Sequence, residues 1–268
     1  VHYDWVTFTT DYGTSDGFVA ACKGVIAGIA PSLRVLDVSH DIGPQDVRRG
    51  ATVLAHTIGY LPTAVHLAVV DPGVGTARRG VVLVAGSSLL VGPDNGLLLP
   101  AADVLGGVSA AYELTDERYQ LPDVSMTFHG RDVFAPAAAH LARGAAPADF
   151  GPPVTDLVRL PEPRTVIVSG QLTSEIIGVD RFGNIQLAAG GPELDELGVR
   201  AGDRVRVRHR RSTVDATIGG TFDDVPTGAL LVHVDSAGRV ALAVNGGSAA
   251  EALTGCLGDI TISREQES

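Results

Sequence analysis

At 268 residues the chain is long for one small core and favours either two modest domains or a single large α/β domain. With 45% hydrophobic and 19% charged residues it is too apolar for a disordered chain, yet no apolar run approaches the roughly 18 residues of a membrane span. A net charge of −11 with a single lysine, Lys23, argues against a nucleic-acid surface; such a field would suit a cationic small substrate, although its ordinary role is solubility. Two cysteines, Cys22 and Cys256, are too few for a disulfide framework or a Cys-rich zinc site and fit a reducing cytosol. The stretch Val1 to Trp5 lacks the basic and apolar regions of a signal peptide, so a cytoplasmic, globular protein is expected.

Trp5 to Thr9 alternates like a strand, and Asp16 is expected to N-cap a helix in which Phe18, Cys22, Val25, Ile26 and Ile29 recur at spacings of three and four, ending near Pro31. Arg34 to Val38 reads as the next strand. Val47, Ala51, Leu54 and Ile58 mark a second amphipathic helix stopped before Pro62, and Val65 to Val70 has the all-apolar texture of a buried strand. Two further strands, Gly80 to Ala85 and Leu89 to Gly92, flank the short turn Gly86-Ser87-Ser88, and a last helix covers about Arg131 to Leu141. The predicted fold class is α/β: residues 1–150 form a mainly parallel sheet covered by helices. Prolines 147, 152, 153, 161 and 163 place a linker over 151–164. Short alternating runs from Thr165 onward predict a smaller, β-barrel-like domain over 165–268.

Three loops each follow a strand and mix glycine with a carboxylate: Thr10-Asp11-Tyr12-Gly13, Asp71-Pro72-Gly73-Val74-Gly75 and Gly92-Pro93-Asp94-Asn95-Gly96. Ligands bind at the carboxyl ends of strands in open α/β sheets, so the positions suit a site. Each loop alone is also ordinary turn chemistry, Asp94-Asn95-Gly96 most of all. In Phe128-His129-Gly130-Arg131-Asp132 the histidine is a base, a ligand or a structural group, while Asp132 reads as a favourable first-turn charge. Gly73-Val74-Gly75 is half of a phosphate loop without its Lys-Ser/Thr, and HExxH, CxxC and EF-hand patterns are missing. In the second domain, Asp180-Arg181-Phe182-Gly183-Asn184 combines a carboxylate, a ring and an amide, as a turn or as a grip on an amine and a flat base.

Taken in order, these segments, with Val70 and Thr76 flanking the second loop, Arg78 behind it, and Ser236 and Asn245 near the end, resemble the SAM hydroxide adenosyltransferase family, the S-adenosyl-L-methionine hydrolases related to fluorinase and chlorinase. The resemblance spans nearly the whole chain. It implies an α/β domain followed by a β-rich domain, and a homotrimer whose sites lie between the first domain of one subunit and the second of the next. It implies Asp71, Arg78 and His129 as the triad holding water or hydroxide, with Arg79 an adjacent competitor for the arginine role. It implies Asp11 on the ribose hydroxyls, Asp180 and Ser236 on the amino acid end, Phe182 and Phe222 around adenine with Asn184 on its polar edge, and Asn245 as a further substrate-binding residue. Where fluorinase has an aromatic residue the chain has Asp71; where it has a serine, Gly130; where it has a loop, Gly86-Ser87-Ser88; and Gln45 replaces its tryptophan. Gly130 is shared with the chlorinase pattern, but a carboxylate at 71 repels a halide and accepts a hydrogen bond from water.

The expected reaction is attack of water or hydroxide at C5′ of S-adenosylmethionine, giving adenosine and L-methionine without a metal or other cofactor. The alternatives are a chlorinase-like halogenase, a metal-dependent hydrolase using Asp11, Asp71, Asp94 and His129, and a non-catalytic SAM- or nucleoside-binding module.

Overall fold

A computed structural model describes residues 1–255 and 257–265; Cys256 and residues 266–268 lie outside the described residues. The chain divides into two compact units, Val1–Leu160 and Pro161–Ser268.

The first unit is built on a six-stranded sheet of β1 (Trp5–Thr10), β2 (Arg34–Ser39), β3 (Val65–Val69), β4 (Gly80–Ala85), β5 (Ser88–Pro93) and β6 (Val108–Glu113), in the order β2-β1-β3-β5-β4-β6. The pairings β2-β1, β1-β3 and β3-β5 are parallel; β4 runs antiparallel to both β5 and β6. Strand β3 is buried along its whole length because helices cover both faces of the sheet. Cys22 and Ile26 of α1 (Phe18–Ile29) and most of α4 (Ala135–Ala142) pack on one face. Ala51, Leu54 and Ile58 of α2 (Val47–Ile58) and Leu99, Ala101 and Ala102 of α3 (Leu99–Val104) pack on the other. At about 25 cal/mol per Å² of apolar area, burying one such leucine or isoleucine is worth about 1.5–3 kcal/mol.

Several local expectations change. Helix α1 is preceded by Gly17 with no side-chain cap, so Asp16 does not cap it; Asp46 does cap α2, its carboxylate accepting from the Arg49 amide at 2.9 Å. The turn between β4 and β5 is only two residues, Gly86-Ser87, since Ala85 pairs with Ser88. The proline-rich stretch predicted as linker is split. Pro153 bridges to Tyr112, the Val154 amide bonds the Ala111 carbonyl at 2.9 Å and Val154 is buried, so residues through Leu160 belong to the first unit. Proline is tolerated there because β6 is an edge strand whose outer groups need no full ladder.

The second unit carries β7 (Thr165–Val168), β8 (Gln171–Val179), β9 (Ile185–Gly190), β10 (Arg204–His209), β11 (Ser212–Ile218), β12 (Leu230–Val234), β13 (Arg239–Val244) and β14 (Asp259–Arg264). The order β14-β10-β11-β12-β13-β9-β8 closes through β14–β8 pairing into a seven-stranded barrel, with β7 added at β8. Strand β10 has the alternation a barrel wall demands: Val205, Val207 and His209 are buried and Arg204, Arg206 and Arg208 face out. Two short helices, α5 (Gly191–Glu196) and α6 (Ala249–Ala252), pack on the barrel. Among the described residues no helix is long and apolar enough to cross a membrane.

Candidate active site

Asp71 follows directly on β3 and the buried Val70, at the carboxyl end of a central parallel strand. Seven residues on, Arg78 folds back over the loop: its Nε donates to Asp71 Oδ1 at 2.9 Å and Oδ2 at 3.0 Å, and its Nη2 donates to Oδ2 as well. The same Nη2 lies 3.0 Å from His129 Nδ1. The pair is withdrawn from solvent, with the Asp71 side chain 6% and the Arg78 side chain 12% exposed, and the guanidinium lies 5.0 Å from the Phe134 ring centre. Thus a pair seven residues apart and a histidine 51 residues further on form one hydrogen-bonded chain.

The glycines between them serve contact rather than phosphate binding. A Cβ at Gly73 would lie 3.0 Å from Arg78 Cγ, and Gly75 combines φ of 74° with a Cβ position 2.3 Å from the Met126 carbonyl oxygen. Any side chain there would push away either the arginine or the strand of chain leading to His129. His129 itself stands at the head of a π-helical turn, Gly130–Phe134, that runs into α4. The positive end of that helical stack disfavours an imidazolium. Burial and the Arg78 guanidinium hold the imidazole below its ordinary 6.5, outweighing the opposing carboxylates of Asp71 and Asp132. Asp132 is more than a first-turn charge: fully buried, it accepts from Arg131 Nε at 2.6 Å and from the Ser125 amide at 2.9 Å, clamping the segment before His129.

Arg79 is removed from contention for the triad. Its Nε and Nη2 reach Asp94 Oδ2 at 3.0 and 2.6 Å and its Nη1 reaches Asp156 at 2.7 Å, while Asp94 Oδ1 accepts from the Val158 amide. Asp94 is therefore engaged in holding the 151–160 segment. Asn95 likewise spends its amide on the Val70 carbonyl at 2.9 Å. Of the donor set of the metal reading, Asp71 and Asp94 are both covered by guanidinium groups; among the described residues no three His, Cys, Asp or Glu side chains gather as a metal ion requires.

Asp11, at the end of β1, is positioned by contacts invisible in sequence. Its Oδ2 accepts from the Gln45 amide at 2.8 Å, with Gln45 held at φ 65°. Thr10 Oγ1 lies 2.8 Å from His40 Nδ1, and the Gly13 amide bonds the His40 carbonyl at 2.8 Å, fixing the loop at both ends. His40 was not singled out by sequence, since a lone histidine after a strand carries no signal.

In the second unit Asp180 and Asn184 are brought together. Asp180 Oδ1 accepts from the amides of Phe182 and Asn184 at 2.8 and 2.9 Å, and Oδ2 accepts from Asn184 Nδ2 at 2.7 Å. Gly183, at φ 83°, is required: its Cβ would lie 2.1 Å from Ser248 Oγ. The turn presents Phe182, 78% exposed, to solvent. Phe222 is also exposed and meets His233 edge-on at 5.8 Å. Ser236 is exposed in the β12–β13 hairpin. Asn245 donates to the Val225 carbonyl at 2.8 Å and so braces the segment after Phe222.

A helix-covered, mainly parallel sheet carrying a carboxylate–guanidinium–imidazole centre, joined to a closed barrel with an Asp/Phe/Asn turn, defines a two-domain class. Residues 6–151 match the SAM hydroxide adenosyltransferase N-terminal domain and residues 174–261 its C-terminal domain, and the chain belongs to that family. A relative from Salinispora arenicola, named (R)-S-adenosyl-L-methionine hydrolase, is 59% identical over 95% of each chain. A fluorinase from an Actinoplanes species is 29% identical over 90% of each. The crystal structure of a conserved protein from Thermotoga maritima superposes with a TM-score of 0.90 at 36% identity, covering 97% of this chain and all of that one.

Proposed function

We propose that the chain is a hydrolase of S-adenosyl-L-methionine in which water attacks C5′ and releases adenosine and L-methionine. The observation that carries this reading is Arg78 bridging Asp71 and His129 through short hydrogen bonds. The name of the Salinispora relative directs the substrate to the R epimer.

The bridge fixes proton positions. A guanidinium donates and never accepts, so His129 Nδ1 accepts from Arg78 and the neutral ring keeps its proton on Nε2. His129 is then a donor that holds the water oxygen, and Asp71, with a lone pair left on Oδ1, is the acceptor. As the C5′–O bond forms and the C5′–S bond breaks, the electron pair leaves on sulfur as a neutral thioether. No general acid is needed. The attacking oxygen becomes strongly acidic during the step, so a carboxylate suffices as base. Asp11 holds the ribose, Asp180 and Ser236 the amino acid end, Phe182 and Phe222 the adenine, and Asn184 and Asn245 the surrounding turns. The reaction uses no cofactor.

Asp71 also weighs against the halogenase reading: an incoming anion meets a carboxylate, whereas water donates to it. As the family resemblance implies, the protein works as a cytoplasmic homotrimer with each site completed by a neighbouring subunit. Incubating the purified protein with S-adenosylmethionine in ¹⁸O-water tests the reaction: adenosine carrying the heavy isotope in its 5′-hydroxyl is expected, and unlabelled adenosine or unchanged substrate refutes it.

A further inference from the structure

We propose that Tyr12 and Gly130 form a coupled pair that sets the room available to the nucleophile, admitting water and refusing larger neutral nucleophiles. This rests on the hydrolase reading above and assigns the residue that limits its nucleophile.

Gly130 directly follows His129 and is buried. Its backbone is not left-handed, so chain conformation alone would admit any residue. Space does not: a Cβ built at 130 would lie 2.0 Å from Tyr12 Oη, 3.0 Å from Cζ and 3.2 Å from Cε2. The phenol hydroxyl occupies the volume that a side chain at 130 would claim. Phe128, the other chain neighbour of His129, meets the Tyr12 ring edge-on at 5.7 Å, and Phe18 braces it from a third side at 6.1 Å. Tyr12 is thereby wedged against both residues flanking the imidazole. Its hydroxyl also lies within electrostatic reach of Asp71 and Arg78: burial raises the phenol pKa first, with Cys22, Asp11 and Asp71 adding to the rise and Arg78 opposing it. Packed interiors respond to a single added or removed atom, so this hydroxyl acts as a stop beside the nucleophile.

Methanol is a suitable probe because it is neutral, is not repelled by Asp71, and exceeds water by one methyl group. Its oxygen would bond to C5′ as C5′–S breaks, its proton would pass to Asp71, and the products would be 5′-O-methyladenosine and L-methionine. The test is the ratio of 5′-O-methyladenosine to adenosine formed from S-adenosylmethionine in aqueous methanol. The wild type is compared with Tyr12→Phe, Gly130→Ala and the double variant, and kcat/KM and thermal midpoints are measured alongside. A ratio is independent of how much protein is folded, so a merely structural role would not move it. Tyr12→Phe is expected to raise the ratio roughly tenfold. Gly130→Ala alone is expected to lower kcat/KM by roughly ten- to a hundredfold through overpacking. In the double variant the added methyl refills the space, returning the ratio toward wild type and recovering most of that loss. A Tyr12→Phe ratio within about twofold of wild type, or a double variant no more active than Gly130→Ala, overturns the pairing; a wild type that releases no adenosine overturns the hydrolase reading as well.

Discussion

Replacing Asp71 by asparagine preserves shape and removes the charge that organises the centre. Arg78 now binds both carboxylate oxygens, through Nε at 2.9 and 3.0 Å and through Nη2. An asparagine offers one oxygen and sets an NH2 against the other guanidinium donors. The fork opens, Arg78 loses the partner that aims Nη2 at His129 Nδ1, and the proposed proton acceptor is lost. Loss of a general base alone removes roughly 10²- to 10⁴-fold, equivalent to about 3–5 kcal/mol of barrier. Stranding a guanidinium only 12% exposed also destabilises the fold, at the lower end of the about 3–5 kcal/mol for breaking a buried pair, because the site opens toward substrate. The assay is adenosine release with kcat and KM resolved separately and thermal unfolding as a control for folding. The expected result is kcat down at least about a hundredfold with KM within about threefold, since the residues proposed to hold the ribose and the amino acid end, Asp11, Asp180 and Ser236, are other side chains. A kcat close to wild type with a raised KM would refute the role given to Asp71 and leave it a binding group.

Arg79→Gln should do the opposite. Asp94, 3% exposed, would lose its cation, costing about 3 kcal/mol, or about 6–12 °C in Tm, with kcat of the folded protein within about twofold; a collapse of kcat at unchanged Tm would return Arg79 to the triad. The pH profile follows from His129. Its pKa is held below 6.5 by burial and by Arg78, so the neutral ring persists as pH falls through 6.5 and is lost only at the lower folded value, where a proton on Nδ1 would face Arg78. The acid limb of kcat/KM should therefore have its midpoint below 6.5, and a midpoint above it would contradict the tautomer assigned to His129.

Much of this was legible because it is periodic or local. The alternation from Arg204 to Val207, the spacing of Cys22 and Ile26 and the apolar run from Val65 follow from burial, and the structure has β10, α1 and β3 there. Strand β6 and helix α3 escaped because Val108–Glu113 is an edge strand with mixed burial and Leu99–Val104 is less than two turns long. Proline density was misleading around residue 153, since it marks exclusion from a ladder's interior and not the absence of packing; Val154 is buried beside it.

The site divides along the same line. The pairing of Arg78 with Asp71 spans seven residues and leaves a spacing that sequence can carry, whereas the bond to His129 crosses 51 residues and the Gln45–Asp11 bond 34. Those distant contacts depend on glycines whose role is easily misread. Glycine beside a carboxylate suggests a flexible or phosphate-binding loop, but at 73, 75, 130 and 183 the Cβ position falls within 3.0 Å of Arg78, the Met126 carbonyl, Tyr12 and Ser248 respectively. Each is small because another group already fills the space. Sequence records that a side chain is missing and only the fold says what took its place, which is why the triad, Arg78 included, could be suspected from motifs while its proton positions and its wedge against Tyr12 could not.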